Sequence, residues 1–190
     1  MNWIGVGVTI LSLIAKPVPA QWVLAVMTRL QPVAPMTVRL TYDETAEAIS
    51  SAANNDPIFL GADGPMKTAA LLLAIAFVES RFNPTAIGDH GASFGLFQIQ
   101  PPTAHLHANA LLLPRDAAPV AIKLVKTSLK VCGEYGWHER LGWYGAGGNG
   151  CKEAGRRATK PHMMLFDQIV EENPLTHDDV RGLLTGGEKP

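Results

Sequence analysis

The feature that most constrains this chain is an apolar run from Thr68 to Val78 that ends directly at the carboxylate of Glu79. The run is apolar on every face of a helix, so it predicts a fully buried helix rather than an amphipathic one. Carboxylates are rarely buried without a partner, because removing the ionised form from water costs free energy. A carboxylate at the end of such a helix therefore needs a specific role or a specific partner.

The predicted helix boundaries place Glu79 in the last turn, at the edge of a loop. Asp63 or Gly64 is the predicted N-cap, and the proline that follows suits the first helical position. Asn83 precedes a proline, which excludes it from the α region and ends the helix. Burial and the negative end of a helix both disfavour an ionised carboxylate, so Glu79 is a candidate proton donor for glycoside cleavage. An ion pair with Arg81 is the simpler alternative.

A glycine-rich polar loop follows the helix and carries the most specific pattern. The chain reads Glu79-Ser80-Arg81-Phe82-Asn83-Pro84 and then Gly91-x-Ser93-x-Gly95-Leu96-Phe97-Gln98-Ile99. These strings, in this order, resemble the signature of soluble lytic transglycosylases (the SLT family) and of their goose-type lysozyme relatives. The resemblance spans roughly residues 65–169. With strand patterns scarce, we expect a mostly α, single lysozyme-like domain with a small β element between Gly88 and Ile99.

The resemblance also implies a function. A single Glu is the catalytic acid and base in that family, which assigns the role to Glu79. The expected substrate is the glycan strand of peptidoglycan, cleaved between N-acetylmuramic acid and N-acetylglucosamine with a 1,6-anhydro product. The residues expected to shape the sugar site are Ser80, Asp89, Ser93, Gly95, Leu96, Phe97, Gln98, Ile99 and Tyr144. We expect no metal and no other cofactor.

The third motif of the family is matched in part. Trp143-Tyr144-Gly145-Ala146-Gly147 is the counterpart of Ala-Tyr-Asn-x-Gly, with Gly145 in place of the Asn. The resemblance implies that Tyr144 hydrogen-bonds the catalytic Glu. Trp143, Tyr144, Phe97 and Trp137 are candidates for sugar stacking, and a core position is the equal alternative for the two tryptophans.

Asp89 supports a hydrolytic alternative. An Asp helps to position the attacking water in goose-type lysozymes, and Asp89 matches it with a shorter spacing from Glu79. A second goose-type Asp would fall at Gln100 and is absent. An ordinary Gly-Asp turn explains Asp89 equally well. A wall-penetration protein of a virion or secretion machine, with the same fold, is a further alternative.

The chain divides into three predicted parts. Residues 1–35 form an apolar segment, residues 36–175 the catalytic domain, and residues 176–190 an acidic tail with a short helix beginning at Thr176. The run from Ile4 to Ala15 has signal-peptide length and precedes a cleavage-like Val18-Pro19-Ala20, although no basic residue comes before it. A cleaved signal predicts a periplasmic or extracellular protein at the cell wall. A retained segment that contacts a membrane, or a helix packed in a virion or secretion assembly, are the alternatives.

Composition narrows the remaining classes. The net charge of −1 at pH 7 argues against a nucleic-acid partner. Cys132 and Cys151 lack a metal-binding spacing, so they form either a disulfide around the aromatic segment or two buried thiols. His105 and His107 have no neighbouring acidic or Cys ligand, which argues against a metal site.

Weaker local signals predict the other helices. Thr41 and Glu44 form a predicted capping box, Asp116 a predicted N-cap, and Pro161 a predicted helix start. The buried positions expected on these three helices are Ala46, Ile49 and Ala53, then Ile122, Val125 and Leu129, and some of Met164, Phe166, Ile169 and Val170.

Overall fold

The computed structural model describes residues 15–147 and 150–172. Its helices are α1 (Ala20–Leu30), α2 (Met36–Arg39), α3 (Tyr42–Asn55), α4 (Gly64–Ser80), α5 (Pro101–Ala104), α6 (Ala108–Leu111), α7 (Pro114–Val131), α8 (Gly142–Ala146) and α9 (Glu153–Glu172). Two short strands, β1 (Ile87–Gly88) and β2 (Ser93–Phe94), and two 3₁₀ turns at Asp89–Gly91 and Trp137–Glu139 complete the described elements. The predicted mostly α architecture is confirmed.

The apolar run forms the central helix, α4, and α1, α3, α7 and α9 pack around it. Residues 71–76 are fully buried, and each large aliphatic side chain buried in this way contributes about 1.5–3 kcal/mol. The helix begins after Asp63, as predicted. It ends at Ser80, because Arg81 and Phe82 adopt left-handed φ angles of 53° and 57°. Glu79 therefore lies in the last turn of a buried helix.

The small β element lies in the predicted loop. β1 pairs antiparallel with β2, with Ile87 opposite Phe94 and Gly88 opposite Ser93. Phe94 also forms a bridge with Ile99, which folds the end of the loop back on the hairpin. This arrangement confirms the predicted β element and returns the chain towards the end of α4.

The N-cap of α3 differs from the predicted capping box. The Thr41 hydroxyl donates to the Val38 carbonyl at 2.7 Å, and no side-chain hydrogen bond caps the helix. The capping box of Thr41 and Glu44 is therefore wrong, because a preceding carbonyl takes the hydroxyl proton. The helix itself follows at Tyr42 and buries Ala46, Ile49 and Ala53 as expected.

Two helices begin earlier than predicted. α7 begins at Pro114, which leaves Asp116 inside its first turn. α9 begins at Glu153 and continues through Pro161. A proline inside a helix removes one backbone hydrogen bond and adds strain, but it does not always end the helix. Met164 is 58% exposed, and the buried positions on this helix are Gly155, Thr159, His162, Met163, Phe166 and Ile169.

Val18, within the cleavage-like string, and the helix that follows the string pack in the core. Val18 is buried, its amide donates to Asn54 Oδ1 at 2.8 Å, and its carbonyl accepts from Ser50 Oγ at 2.8 Å. α1 then packs on α3 and α4 through a face that includes Trp22 and Met27. No helix within the described residues is both long enough and apolar enough to span a membrane.

The outermost predictions fall outside the described ranges. Most of the apolar run from Ile4 to Ala15 and the helix predicted at Thr176 lie in residues 1–14 and 173–190. The signal-peptide interpretation, the divisions at residues 35 and 175, and the tail helix stay predictions.

Candidate active site

One cavity of about 300 Å³ lies at the C-terminal end of α4, at the small end of the range for ligand sites. It brings together the end of the buried helix, the β element with its following turn, and α8. Six of the ten predicted site residues line it, namely Glu79, Asp89, Ser93, Gln98, Ile99 and Tyr144. Gln100, Thr103, Leu124, Trp143, Gly145, Ala146 and Gly147 complete the lining.

Glu79 is partly shielded and has a specific partner. Its side chain is 25% exposed, and its Oε1 lies 2.8 Å from Nε2 of His162, whose side chain is 4% exposed. The alternative partner expected from the sequence is wrong: the guanidinium of Arg81 packs over the Phe77 ring, 4.1 Å from its centroid. The carboxylate therefore meets a buried imidazole on one side and the cavity on the other.

His162 was absent from the residues predicted for the site. It lies on α9, which packs against α4, and 83 positions separate it from Glu79. The available signal was its spacing from Phe166 and Ile169, since positions i, i+4 and i+7 share one helix face.

Tyr144 lines the cavity but makes a different hydrogen bond from the one predicted. Its hydroxyl donates to the Phe97 carbonyl at 2.7 Å, and a phenol has a single proton to donate. The predicted donation to Glu79 is therefore corrected. Burial, and secondly the neighbouring Glu79 carboxylate, raise the pKa of Tyr144 well above its usual value. The phenol therefore remains a protonated donor that fixes the loop across the neutral range.

Ser80 and the segment from Gly95 to Phe97 build the wall behind the cavity. The Ser80 hydroxyl lies 2.9 Å from the Leu96 carbonyl oxygen and 3.0 Å from that of Ala76, which ties the loop to α4. Leu96 and Phe97 are each 1% exposed. Phe97 is therefore a core residue, and its ring is unavailable for stacking on a sugar.

Gln98 closes the loop from inside. Its backbone has a left-handed φ of 45°, and its amide Nε2 donates to the carbonyls of Gly95 at 2.9 Å and Ala86 at 3.3 Å. The side chain also packs over Gly88, where an added Cβ would overlap its amide oxygen. Gln98 consequently fixes the loop while lining the cavity.

Asp89 faces the same cavity as Glu79. Its Oδ2 accepts a hydrogen bond from Ser93 Oγ at 2.5 Å, and Ser93 is 1% exposed. Asp89 also begins a one-turn 3₁₀ helix with a left-handed φ of 48°. Asp89 therefore forms a turn and also lines the cavity, and its role in the reaction stays a prediction.

The two candidate tryptophans differ in their surroundings. Trp143 lines the cavity. Trp137 packs instead against Phe59 and Phe166, with ring centroids 5.7 Å and 5.9 Å away. Of the two tryptophans, Trp143 therefore lies at the cavity, and its contact with a sugar stays a prediction.

The cavity wall formed by α8 is held by covalent and close contacts. Cys132 and Cys151 form a disulfide that brackets α8, which settles the alternatives left by the sequence. A Cβ at Gly145 would lie 2.6 Å from Thr159 Cγ2 on α9. The close approach of α9 explains why a glycine occupies this position of the third motif.

The described residues contain no cluster of His, Cys, Asp and Glu that could hold a metal ion.

The fold and the cavity define a class: a lysozyme-like domain with a carboxyl group at the end of its central helix. Comparison with protein families matches residues 56–164 to the Transglycosylase SLT domain. The match covers more than half of the chain, so the chain belongs to the SLT transglycosylase family. No curated protein and no solved structure shows a significant match. Family membership indicates a lytic transglycosylase with peptidoglycan as substrate.

Proposed function

We propose that the domain cleaves the β-1,4 bond between N-acetylmuramic acid and N-acetylglucosamine and forms a 1,6-anhydro end, with Glu79 as its catalytic acid and base. The position of Glu79 is the main observation that supports this proposal. The carboxyl group ends a buried helix, is 25% exposed and lines a cavity of about 300 Å³. Shielded carboxyl groups that face a sugar site are the usual proton donors of glycoside cleavage.

The reaction requires one proton to leave Glu79 and one to return. Glu79 protonates the glycosidic oxygen while the bond to C1 breaks and positive charge develops on the muramic acid ring. The C6 hydroxyl of that ring then attacks C1, and its proton passes to the Glu79 carboxylate. The acetamido group of the substrate assists, so no carboxylate nucleophile is needed.

The cavity walls supply binding groups of the expected chemistry. Trp143 presents an aromatic surface, and the polar side chains of Asp89, Gln98 and Gln100 line the same space. Sugar sites combine such aromatic faces with a few fixed polar groups. The hydroxyl of Tyr144 acts indirectly, because it holds the Phe97 carbonyl and with it the loop.

Digestion of purified peptidoglycan tests the role of Glu79. We expect muropeptides with the wild-type protein and none with Glu79→Gln, which keeps the shape of the side chain but cannot donate a carboxyl proton. Glu47→Gln, on an exposed position of α3, is the matched control and should digest normally. Full activity of Glu79→Gln would overturn the proposal.

Hydrolysis of the same bond is a second candidate, because Asp89 lines the cavity together with Glu79. If Asp89 positions the attacking water, the wild-type protein should form reducing ends and Asp89→Asn should lose most of its turnover. A transglycosylase should tolerate the same change, since the amide oxygen can still accept from Ser93. Measuring turnover and product ends of Asp89→Asn separates the two reactions.

The place of action follows from the substrate. Peptidoglycan lies outside the cytoplasmic membrane, so we propose that the protein acts in the periplasm or at the cell surface. As an alternative, it is a component of a virion or of a secretion assembly. Contact of residues 1–35 with a membrane is tested by vesicle flotation with and without residues 1–14. The deletion should stop at residue 14, because Val18 and α1 belong to the core.

A further inference from the structure

His162 is a buried ionisable group that the proposed reaction does not yet use. Its side chain is 4% exposed, and its Nε2 lies 2.8 Å from Glu79 Oε1. Side chains of this kind are seldom buried without a polar partner. The geometry of the ring decides what His162 does for that partner.

The other ring nitrogen fixes the tautomer of His162. Nδ1 lies 3.3 Å from the carbonyl oxygen of Thr159, and a carbonyl oxygen can only accept. Nδ1 therefore carries a proton, and Nε2 of the neutral ring presents a lone pair to Glu79. A lone pair and an ionised carboxylate cannot hydrogen-bond at 2.8 Å. One proton therefore lies between Nε2 and Oε1, on the imidazole or on the carboxyl group.

We propose that His162 is a positioning residue that keeps one proton on the Glu79–His162 pair for the acid step. The inference rests on the proposed role of Glu79. The Glu79 carboxyl group carries the proton away from Nε2 and gives it to the glycosidic oxygen as the bond between that oxygen and C1 breaks. It takes the proton of the C6 hydroxyl as the bond from that oxygen to C1 forms. Between the two steps the pair lacks its proton, and the facing lone pairs favour its return.

Gly145, which replaces the Asn of the third family motif, packs against the residue that orients His162. Thr159, whose carbonyl orients His162, also places its methyl group 2.6 Å from where a Cβ of Gly145 would lie. The position that carries Asn in the family motif is thus filled from α9. Since the Tyr144 hydroxyl is committed to Phe97, His162 takes the hydrogen bond to Glu79 that the motif assigns to Tyr144.

No other described charge neutralises the pair. Asp89 and Tyr144, the other ionisable groups lining the cavity, are bound to Ser93 and to the Phe97 carbonyl. Lys160 and Glu171 on α9 are exposed to solvent. The other charges on α9 and on the elements packed against it form pairs of their own. These are Arg156 with Glu139, His138 with Asp167, Lys67 with Asp63, Arg157 with Glu153, and Arg29 with Glu172.

The pH dependence of kcat/KM tests the proposal through His162→Gln. Glutamine can donate to Glu79 but cannot share a proton with it, so the acid form of the site then depends on the carboxyl group alone. We expect the alkaline limb of the profile to move to lower pH, because the variant has lost the partner that helps Glu79 to retain the proton. Activity at neutral pH falls roughly 100-fold and recovers as the pH is lowered. His138→Gln, on a 45% exposed histidine, should keep the wild-type profile.

Nitrogen NMR of His162 gives a readout that needs no activity. In the wild-type protein we expect a protonated Nδ1 and an Nε2 resonance typical of a shared proton at neutral pH. In Glu79→Gln the ring should be the neutral Nδ1–H tautomer. An unprotonated Nδ1 in the wild-type protein would overturn the inference, and so would a wild-type pH profile in His162→Gln.

The two proposals fail differently. If Glu79→Gln remains active, the proposed function itself is wrong. If Glu79→Gln is inactive while His162→Gln loses activity equally at every pH, the function stands and His162 is structural. Should His162→Gln fail to fold, the NMR measurement on the wild-type protein still decides the tautomer and the shared proton.

Discussion

Gly95 offers the sharpest test of how the loop builds the cavity. Its φ is 76°, and an added Cβ would overlap the Leu111 carbonyl oxygen and lie 2.9 Å from the carbonyl carbon. Gly91, in the same loop, has a φ of 93° with nothing within 4 Å of such a Cβ. The two glycines therefore share the backbone constraint and differ in the steric one.

The magnitudes follow from those two terms. A left-handed backbone costs an alanine roughly 1–2 kcal/mol, which is the whole effect expected for Gly91→Ala. Gly95→Ala adds overpacking against backbone, about 1–3 kcal/mol, so we expect a loss of about 2–5 kcal/mol in total. Natural domains are stable by about 5–15 kcal/mol, so the second variant loses a large share of its stability.

Urea unfolding at neutral pH measures the stability of both variants, and digestion of peptidoglycan measures whether the cavity still functions. We expect Gly91→Ala to keep most of its activity and Gly95→Ala to lose it, because the displaced loop carries Gln98 and the Phe97 carbonyl. Equal losses of stability in the two variants would refute the close approach between the loop and the end of α6.

Three further predictions concern the α8 wall. Replacing Cys132 and Cys151 with serine should lower the free energy of unfolding by about 3 kcal/mol, and reductant should do the same to the wild-type protein in urea titrations. Gly145→Ala should cost about 1–3 kcal/mol, and Thr159→Ser, which removes the opposing methyl group, should recover part of it in a double-mutant cycle. Because its pKa is raised in the folded state, Tyr144 remains protonated there above pH ~10 while the unfolded chain ionises, so stability should fall above that pH. Tyr144→Phe should weaken that alkaline loss in unfolding curves.

Local sequence signals were sufficient for the central helix and its carboxylate. A run without polar residues can be accommodated only in a core, and Asp63 and the proline two positions on mark the helix start. The glycines and polar residues after Asn83 indicated a turn-rich loop, and the β element lies there. These features depend on neighbours in the sequence, which is why they could be predicted.

The missed features depend on packing between distant elements. His162 reaches Glu79 because α9 lies on α4, and no local pattern encodes that contact. Pro161 favoured a helix start because proline suits the first turn, yet the packing of α9 keeps it inside a longer helix. Likewise, the Tyr144 hydroxyl donates to the Phe97 carbonyl, and the loop brings that carbonyl close only in the folded chain.

The most direct test of the account is digestion of peptidoglycan in water labelled with heavy oxygen, followed by mass analysis of the new ends. Intramolecular attack by the C6 hydroxyl predicts 1,6-anhydro ends without the label, and none of them with Glu79→Gln. Reducing ends that carry the label would contradict the transglycosylase reaction. New ends formed equally by Glu79→Gln would contradict the central role of Glu79 itself.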